Sequence, residues 1–338
     1  MINSYNSSST LKGVVTAAAL AASLMSVATT ASAETVIRLS TYVNELDVRY
    51  EGFKHFADLV KQKTDGRVKV EIFPSATLHG WSEGVDAVNG GVSDISWIPG
   101  DKRLPCYRTT YLYPVAIDLE NQIQMDAELQ KLWKDEAAAQ NLVNIFNSNY
   151  SYDQEWWFEE PIEDITKLDG KLVRSIGPLV SMMIEEWGGK PVFVAPKEVF
   201  QSAERGVVDG INMGVATYSS WKLWSVMPYM VNANLFYGNL GYMMNKKKFD
   251  TLSAADQKAV LEAGRESEEW LKPRYEDWVD QRVGTAVMKG NGQAVTISQD
   301  QRMAAINSVQ SKWDVEVDKA CGKPLADKVR SVFAKHAP

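Results

Sequence analysis

In the stretch Asp169-Gly170-Lys171-Leu172-Val173-Arg174-Ser175-Ile176-Gly177-Pro178, a short apolar run ends in an arginine, and a glycine-proline pair follows. Leu172 and Val173 read as a buried strand and Gly177-Pro178 as the turn into a helix, so Arg174 falls where a strand stops and a cleft can open. A guanidinium stays charged and presents a planar fork of donors that matches a carboxylate in two parallel bonds. The chemistry it suits is capture of an anion. An arginine at a strand end is also commonly solvated or paired within the protein, so its surroundings must separate the two readings.

Several aromatic and amide side chains fall near predicted strand ends or crossing segments: Tyr42, Asn44, Trp97, Asn212, Met213, Tyr218, Phe236 and Tyr237. Each alone is an ordinary core or turn residue. Together they suggest a pocket wall for a ring-bearing or apolar acid, or for a cation held over ring faces. In Tyr152-Asp153-Gln154-Glu155-Trp156-Trp157-Phe158 strand alternation sends the two tryptophans to opposite faces, so at most one reaches a cleft. Gln154 and Trp156 are the cleft-side pair expected here. Asp94 and Asp209 resemble catalytic carboxylates only when read singly; their matched placement after Gly-Val-x points to a shared structural task. The chain has no Gly-x-Ser-x-Gly elbow, phosphate-binding loop or Cys-His pairing, and His55, His79 and His336 are scattered, so no metal or cofactor site is indicated.

The elements that must position these residues come in a repeated order. Thr35–Ser40 reads as a strand; a helix follows with Phe53, Phe56, Ala57 and Val60 on one face; then come the strand VKVEIF, a helix ending at Gly90-Gly91, and the strand VSDISW. The same order returns from residue 171: KLVRS, a helix carrying Leu179, Val180, Met183, Ile184 and Trp187, then PVFVA, a helix stopped at Gly206, and VVDGIN. Glu83, Gly91, Val92 and Asp94 match Glu198, Gly206, Val207 and Asp209 without a gap. Alternating strands and helices imply parallel sheets, which bind ligands outside the carboxyl ends of their strands. Residues 40–44, 97–99, 174–177 and 211–214 should therefore reach the walls of a cleft between two such units.

Later segments connect and cover these units. The run at 240–245 can return to the first sheet, and a long helical pattern from Ser253 to Lys289 opens on Ser-x-x-Asp and meets Pro273, which should kink or split it. AVTIS is one more strand, and helices near 299–319 and 323–335 end the chain.

The chain has 338 residues, 45% of them apolar, enough for about two domains with a substantial core. Its first 33 residues stand apart: Lys12 precedes an alanine-rich apolar run that ends at Ala31-Ser32-Ala33, the pattern of a cleaved export signal. No later stretch approaches the ~20 apolar residues a membrane helix needs. An exported, soluble chain beginning near Glu34 is expected, with Cys106 and Cys321 free to pair in an oxidising compartment. A net charge of −7 excludes the clustered basic surface that nucleic acid requires.

TDGRVKVEIFPSATL, GGVSDI, DGKLVR, EVFQSAERGVVDG and MNKKKFDTLSAADQKAV, in that order, resemble the solute-binding proteins of TRAP (tripartite ATP-independent periplasmic) transporters. The resemblance covers essentially the entire chain after residue 33. It implies an α/β, two-lobed periplasmic binding protein fold: each lobe a mainly parallel sheet flanked by helices, and a long helix spanning both. The lobes would be 34–152 with 240–288 and 153–239 with 289–338. It further implies a periplasmic, non-enzymatic monomer that closes on a small organic acid, a carboxylate or a sulfonate, and delivers it to membrane permease subunits. In that family an arginine four residues beyond the glycine of the DGKLVR motif clamps the ligand carboxylate, which is Arg174. A second family arginine corresponds to Gln154, and the family's Asp-Gly-x-Glu reads here Asp209-Gly210-Ile211-Asn212. A ligand with one acidic group is therefore expected. The rival readings are an exported hydrolase-like enzyme using the same cleft, and a binding protein serving a sensor or an ATP-driven permease.

Overall fold

The computed structural model describes Met1, residues 34–150 and residues 154–338, except for the side chains at 282, 283 and 286. The expected signal peptide and its cleavage site lie outside the described residues.

Both copies of the repeat fold as expected. In the first, strands Thr35–Ser40, Val68–Phe73 and Ile95–Trp97 are joined by helices Val48–Lys63 and Gly84–Asn89. In the second, strands Leu172–Ser175, Lys190–Phe193 and Gly210–Gly214 are joined by helices Pro178–Glu186 and Val199–Glu204. In each copy the first strand lies in the middle and pairs in parallel with the other two. The turn before the third strand is fixed by a glycine in the left-handed region, Gly91 (φ 72°) and Gly206 (φ 66°), which a side chain would strain. Asp94 accepts the Arg38 N–H at 2.8 Å and Asp209 accepts the Leu172 N–H at 2.6 Å. In return, their own N–H groups donate to the Arg38 and Leu172 carbonyls. The matched aspartates thus have the shared structural task that their spacing suggested.

Each sheet is completed by a strand that crosses over. Gly241–Asn245 inserts antiparallel between Ile95–Trp97 and Leu142–Asn147, making a five-stranded sheet. Gln154–Phe158 inserts antiparallel between Gly210–Gly214 and Tyr229–Asn232, and Ala294–Thr296 adds a parallel edge to make six strands. The two sheets therefore share one order, with the fourth strand exchanged between them. A separate two-stranded ribbon pairs Phe236–Gly238 with Leu112–Pro114.

Packing follows the apolar periodicity. Phe53, Phe56 and Val60 are buried against the five-stranded sheet; each such side chain contributes roughly 1.5–3 kcal/mol on burial. Val180, Met183, Ile184 and Trp187 are buried beneath the second sheet. Helix Ala254–Lys289 runs unbroken through Pro273. It packs on Val48–Lys63 and Leu142–Asn147 near one end and on Val215–Ser220 farther along. Helices Gln299–Cys321 and Lys323–Lys335 end the chain; the first packs on Pro105–Thr110, to which a Cys106–Cys321 disulfide ties it. Among the described residues no helix is long and apolar enough to cross a membrane.

Candidate functional site

Arg174 occupies the third position of its strand, beside Val192 on one neighbour and Ile211 on the other. Its side chain is 1% exposed. Nε donates to the Val194 carbonyl at 3.0 Å, Nη1 to the Asn212 carbonyl at 2.5 Å, and Nη1 lies 3.9 Å from the Met213 sulfur. No carboxylate is among its partners. Burial lowers its pKa to about 9, opposed only by the Tyr111 and Tyr42 phenols, so it remains charged at neutral pH. An uncompensated buried charge costs several kcal/mol, and an incoming anion relieves that cost.

A second buried arginine supplies the contrast. Arg49, at the start of helix Val48–Lys63, is also fully buried, yet it pairs with Asp47 at 2.6 Å. It also donates to the Tyr42 hydroxyl at 2.7 Å, Asn149 Oδ1 at 3.1 Å and Thr217 Oγ1 at 2.7 Å. Its charge is neutralised and its donors are used inside the protein. This network joins the first copy of the repeat to helix Val215–Ser220, which follows the second. Its only sequence signal is Asp47-x-Arg49 at a helix start, which reads as an ordinary cap; Asp47 also caps, accepting the Arg49 N–H.

The Tyr42 and Tyr111 phenols come near Arg174, and Tyr42 is held in an aromatic cluster. Tyr42 meets Trp81 edge-on at 4.9 Å and Trp97 at 5.8 Å. Trp97 is held by stacking on His79 and by an Nε1–H donated to the Trp81 carbonyl at 3.1 Å. Beyond them lies a cavity of about 340 Å³, lined by Trp81, Gly100, Arg108 and Tyr111 on one side and Gly177, Leu179 and Phe193 on the other. A narrow gap of about 20 Å³ between Tyr42, Trp81, Pro196 and Trp221 continues the same seam. Tyr111, whose phenol is pushed up to about 12 by burial, feels the charges of both Arg174 and Arg108. The sequence reading did not single out Trp81, Arg108 or Tyr111, because nothing local distinguishes them from helix and loop residues.

The remaining candidates are distributed as follows. Met213 and the Asn212 backbone touch Arg174, while the Asn212 side chain donates to the Glu155 carbonyl. Trp156 and Asn212 are cross-strand partners, as are Gln154 and Gly214. Trp156 is fully buried against Trp187 at 5.3 Å and Phe236 at 6.3 Å. Trp157, also fully buried, stacks on Tyr218 at 3.4 Å. Phe236 packs on Trp313, and the Tyr237 hydroxyl donates to Asp126 Oδ1. Asn44 Oδ1 accepts the Leu46 N–H at 2.9 Å, closing a turn, and its Nδ2 donates to the Ser220 carbonyl at 3.4 Å. Met213 and Tyr42 thus come close to Arg174, while Trp97, Trp156, Phe236 and Tyr237 are fully buried in packed cores. Among the described residues no cluster of His, Cys, Asp or Glu is placed to hold a metal.

Residues 39–319 match the family model described as bacterial extracellular solute-binding protein, family 7. The chain belongs to that family. This is the TRAP solute-binding family to which the sequence motifs pointed, and its members are binding proteins of transport systems. The chain is 22% identical to the 2,3-diketo-L-gulonate-binding periplasmic protein of Escherichia coli K12, over 96% of this chain and 94% of that one. Among solved structures, it resembles a TRAP periplasmic solute-binding protein from Desulfovibrio salexigens with bound orotic acid: TM-score 0.81, 17% identity, 90% of this chain and 100% of that one. It also resembles a Bordetella pertussis extracytoplasmic solute receptor that binds pyroglutamic acid: TM-score 0.80, 19% identity, 89% of this chain and 100% of that one. These likenesses show the two-lobed fold.

Proposed function

We propose that this protein works in the periplasm, after removal of residues 1–33. There it captures a small organic acid between two lobes, 34–152 with 240–288 and 153–239 with 289–338. Closure would bring Tyr42, Trp97 and Tyr111 over a carboxylate held by Arg174, and the loaded protein would then pass its solute to a TRAP-type permease. One observation carries the reading: Arg174 is a buried cation with carbonyl and sulfur partners but no carboxylate, whereas the equally buried Arg49 has its acid beside it. Orotic acid, pyroglutamic acid and diketogulonate, the ligands of the relatives above, are all acids, which supports the same chemistry.

The test begins with native mass spectrometry of protein purified without added ligand, which names any retained acid and shows whether its mass is unchanged, as a binder requires and a hydrolase does not. A thermal-shift screen of organic acids and neutral sugars follows, since binding raises apparent stability by mass action. Arg174→Ala should lose about 3–5 kcal/mol of binding, on the order of a thousandfold in affinity. Equal shifts from neutral sugars, or an alanine variant with unaltered affinity, would refute the proposal.

A further inference from the structure

A second cavity, of about 370 Å³, opens at the edge of the five-stranded sheet, where helices Gln122–Ala139 and Ala254–Lys289 both pack on the outer strand Leu142–Asn147. It shares no lining residue with the cavity between Trp81 and Phe193. Its wall is apolar, built by Trp133, Leu142, Met243 and Leu261. Leu261 is 41% exposed, although its neighbours Ala259, Val260 and Ala263 are buried. The ionisable side chains that line this cavity are all lysines, Lys131, Lys134 and Lys246. Lys246 pairs with Asp250 at 2.6 Å. Lys131 and Lys134 make no hydrogen bond or ion pair with any described residue, even though Asp135 stands four residues beyond Lys131. Other acids of the same helix are engaged away from the cavity. Asp126 accepts from Asn147 at 2.7 Å and Asn239 at 3.2 Å, Glu128 pairs with Lys335 at 2.6 Å, and Glu136 accepts the Cys106 and Tyr107 N–H groups at 2.8 and 2.9 Å.

On a chain of net charge −7, an apolar hollow whose ionisable lining is entirely cationic is complementary to an apolar body with an anionic head. A lysine stem lies along apolar surface while its ammonium stays in water, which suits a head group held at the mouth and a chain directed inward. We propose that this cavity binds a medium-chain monocarboxylate, with its alkyl chain against Trp133, Leu142, Met243 and Leu261 and its carboxylate toward Lys131 and Lys134. The site does not depend on Arg174, and it stands or falls apart from the capture proposed there.

The probe is octanoate, measured by calorimetry on the full chain. Octanamide keeps the chain and removes the charge; butanoate keeps the charge and shortens the chain. The wild-type protein should bind octanoate at least about tenfold more tightly than butanoate, since each buried CH₂ is worth about fourfold, and at least about fivefold more tightly than octanamide. In the double variant Lys131→Gln, Lys134→Gln, which removes no bond within the fold, the ratio of octanoate to octanamide affinity should fall to about one. Lys131→Arg with Lys134→Arg should keep most of the preference. Leu261→Asp, which sets an acid at an exposed position of the wall, should weaken octanoate at least about tenfold. No binding of octanoate, equal binding of octanamide by the wild-type protein, or octanoate affinity untouched by the glutamine and aspartate variants overturns the proposal. Arg174→Gln should leave octanoate affinity unchanged while abolishing capture of the organic acid at Arg174, so failure of either reading is seen separately.

Discussion

Replacing Asp209 by alanine removes the acceptor of the Leu172 N–H, a 2.6 Å bond to a carboxylate at the head of the strand that carries Arg174. Hydrogen bonds to charged groups contribute roughly 1.5–3 kcal/mol, and the abandoned amide sits at the start of a strand paired on both sides. A loss of about 2 kcal/mol is expected, or a melting temperature lower by roughly 3 °C. Asp94→Ala should cost a similar amount: it removes the 2.8 Å bond to the Arg38 N–H, while the 3.4 Å contact to the half-exposed Arg38 side chain adds little. The sites lie in different sheets and share no partner, so the double variant should be additive to within ~0.5 kcal/mol. Urea unfolding of ligand-free protein measures all three, since bound ligand would mask the losses by mass action. Unchanged stability in Asp209→Ala with loss of ligand binding would refute the structural role and return the carboxylates to the binding chemistry.

Two further outcomes are expected. The Cys106–Cys321 bridge closes a sequence separation of 215 residues, and loop-closure entropy puts its contribution at about 5 kcal/mol; urea unfolding with and without reductant should show a midpoint shift of that order, and an unmoved midpoint would contradict it. Burial raises Asp126 to about 7, against the opposing bonds from Tyr237, Asn147 and Asn239. The native state therefore holds a proton that the unfolded chain has already released above pH ~4, so stability should fall as pH rises from about 4 to 7, by up to about 4 kcal/mol. Buried Glu268, also raised, acts in the same direction. Ligand-free melts across that range, with Asp126→Asn as the flattened control, check the sign; stability rising between pH 5 and 7 would refute it.

The architecture was legible in the sequence where backbone chemistry is local. Gly91 and Gly206 mark left-handed turns, and the aspartates three residues beyond them tie matching strands, so the duplicated unit could be read from spacing alone. Pro273 was a weaker guide: the helix runs through it, with Leu271 and Tyr275 buried on either side of it. At the site, the strand end beneath Arg174 was readable, but its isolation from any carboxylate depends on which chains surround it. Alternation correctly sent Trp156 and Trp157 to different cores, yet could not say that both would be fully buried. Arg49 stayed hidden because two of its partners, Asn149 and Thr217, lie 100 and 168 residues away. Phe236 and Tyr237 join a ribbon with Leu112–Pro114, a long-range pairing with no local pattern.

The duplication also explains why only one side of the cleft bears the deep charge. Leu39 and Ser40 pair with Ile95 and Ser96 just as Val173 and Arg174 pair with Gly210 and Ile211, so Ser40 is the structural counterpart of Arg174. Ser40 is fully buried and its hydroxyl has no hydrogen-bond partner. Arginines at both positions would set two buried cations against each other whenever the strand ends approached, a repulsion that a monoanion would offset only in part. A serine in one copy and an arginine in the other leave one deep positive point, over which Tyr42 and Tyr111 add ring surface and hydroxyls without adding charge. If Arg174 holds the acid as proposed, the solute would enter in one orientation, acid toward Arg174.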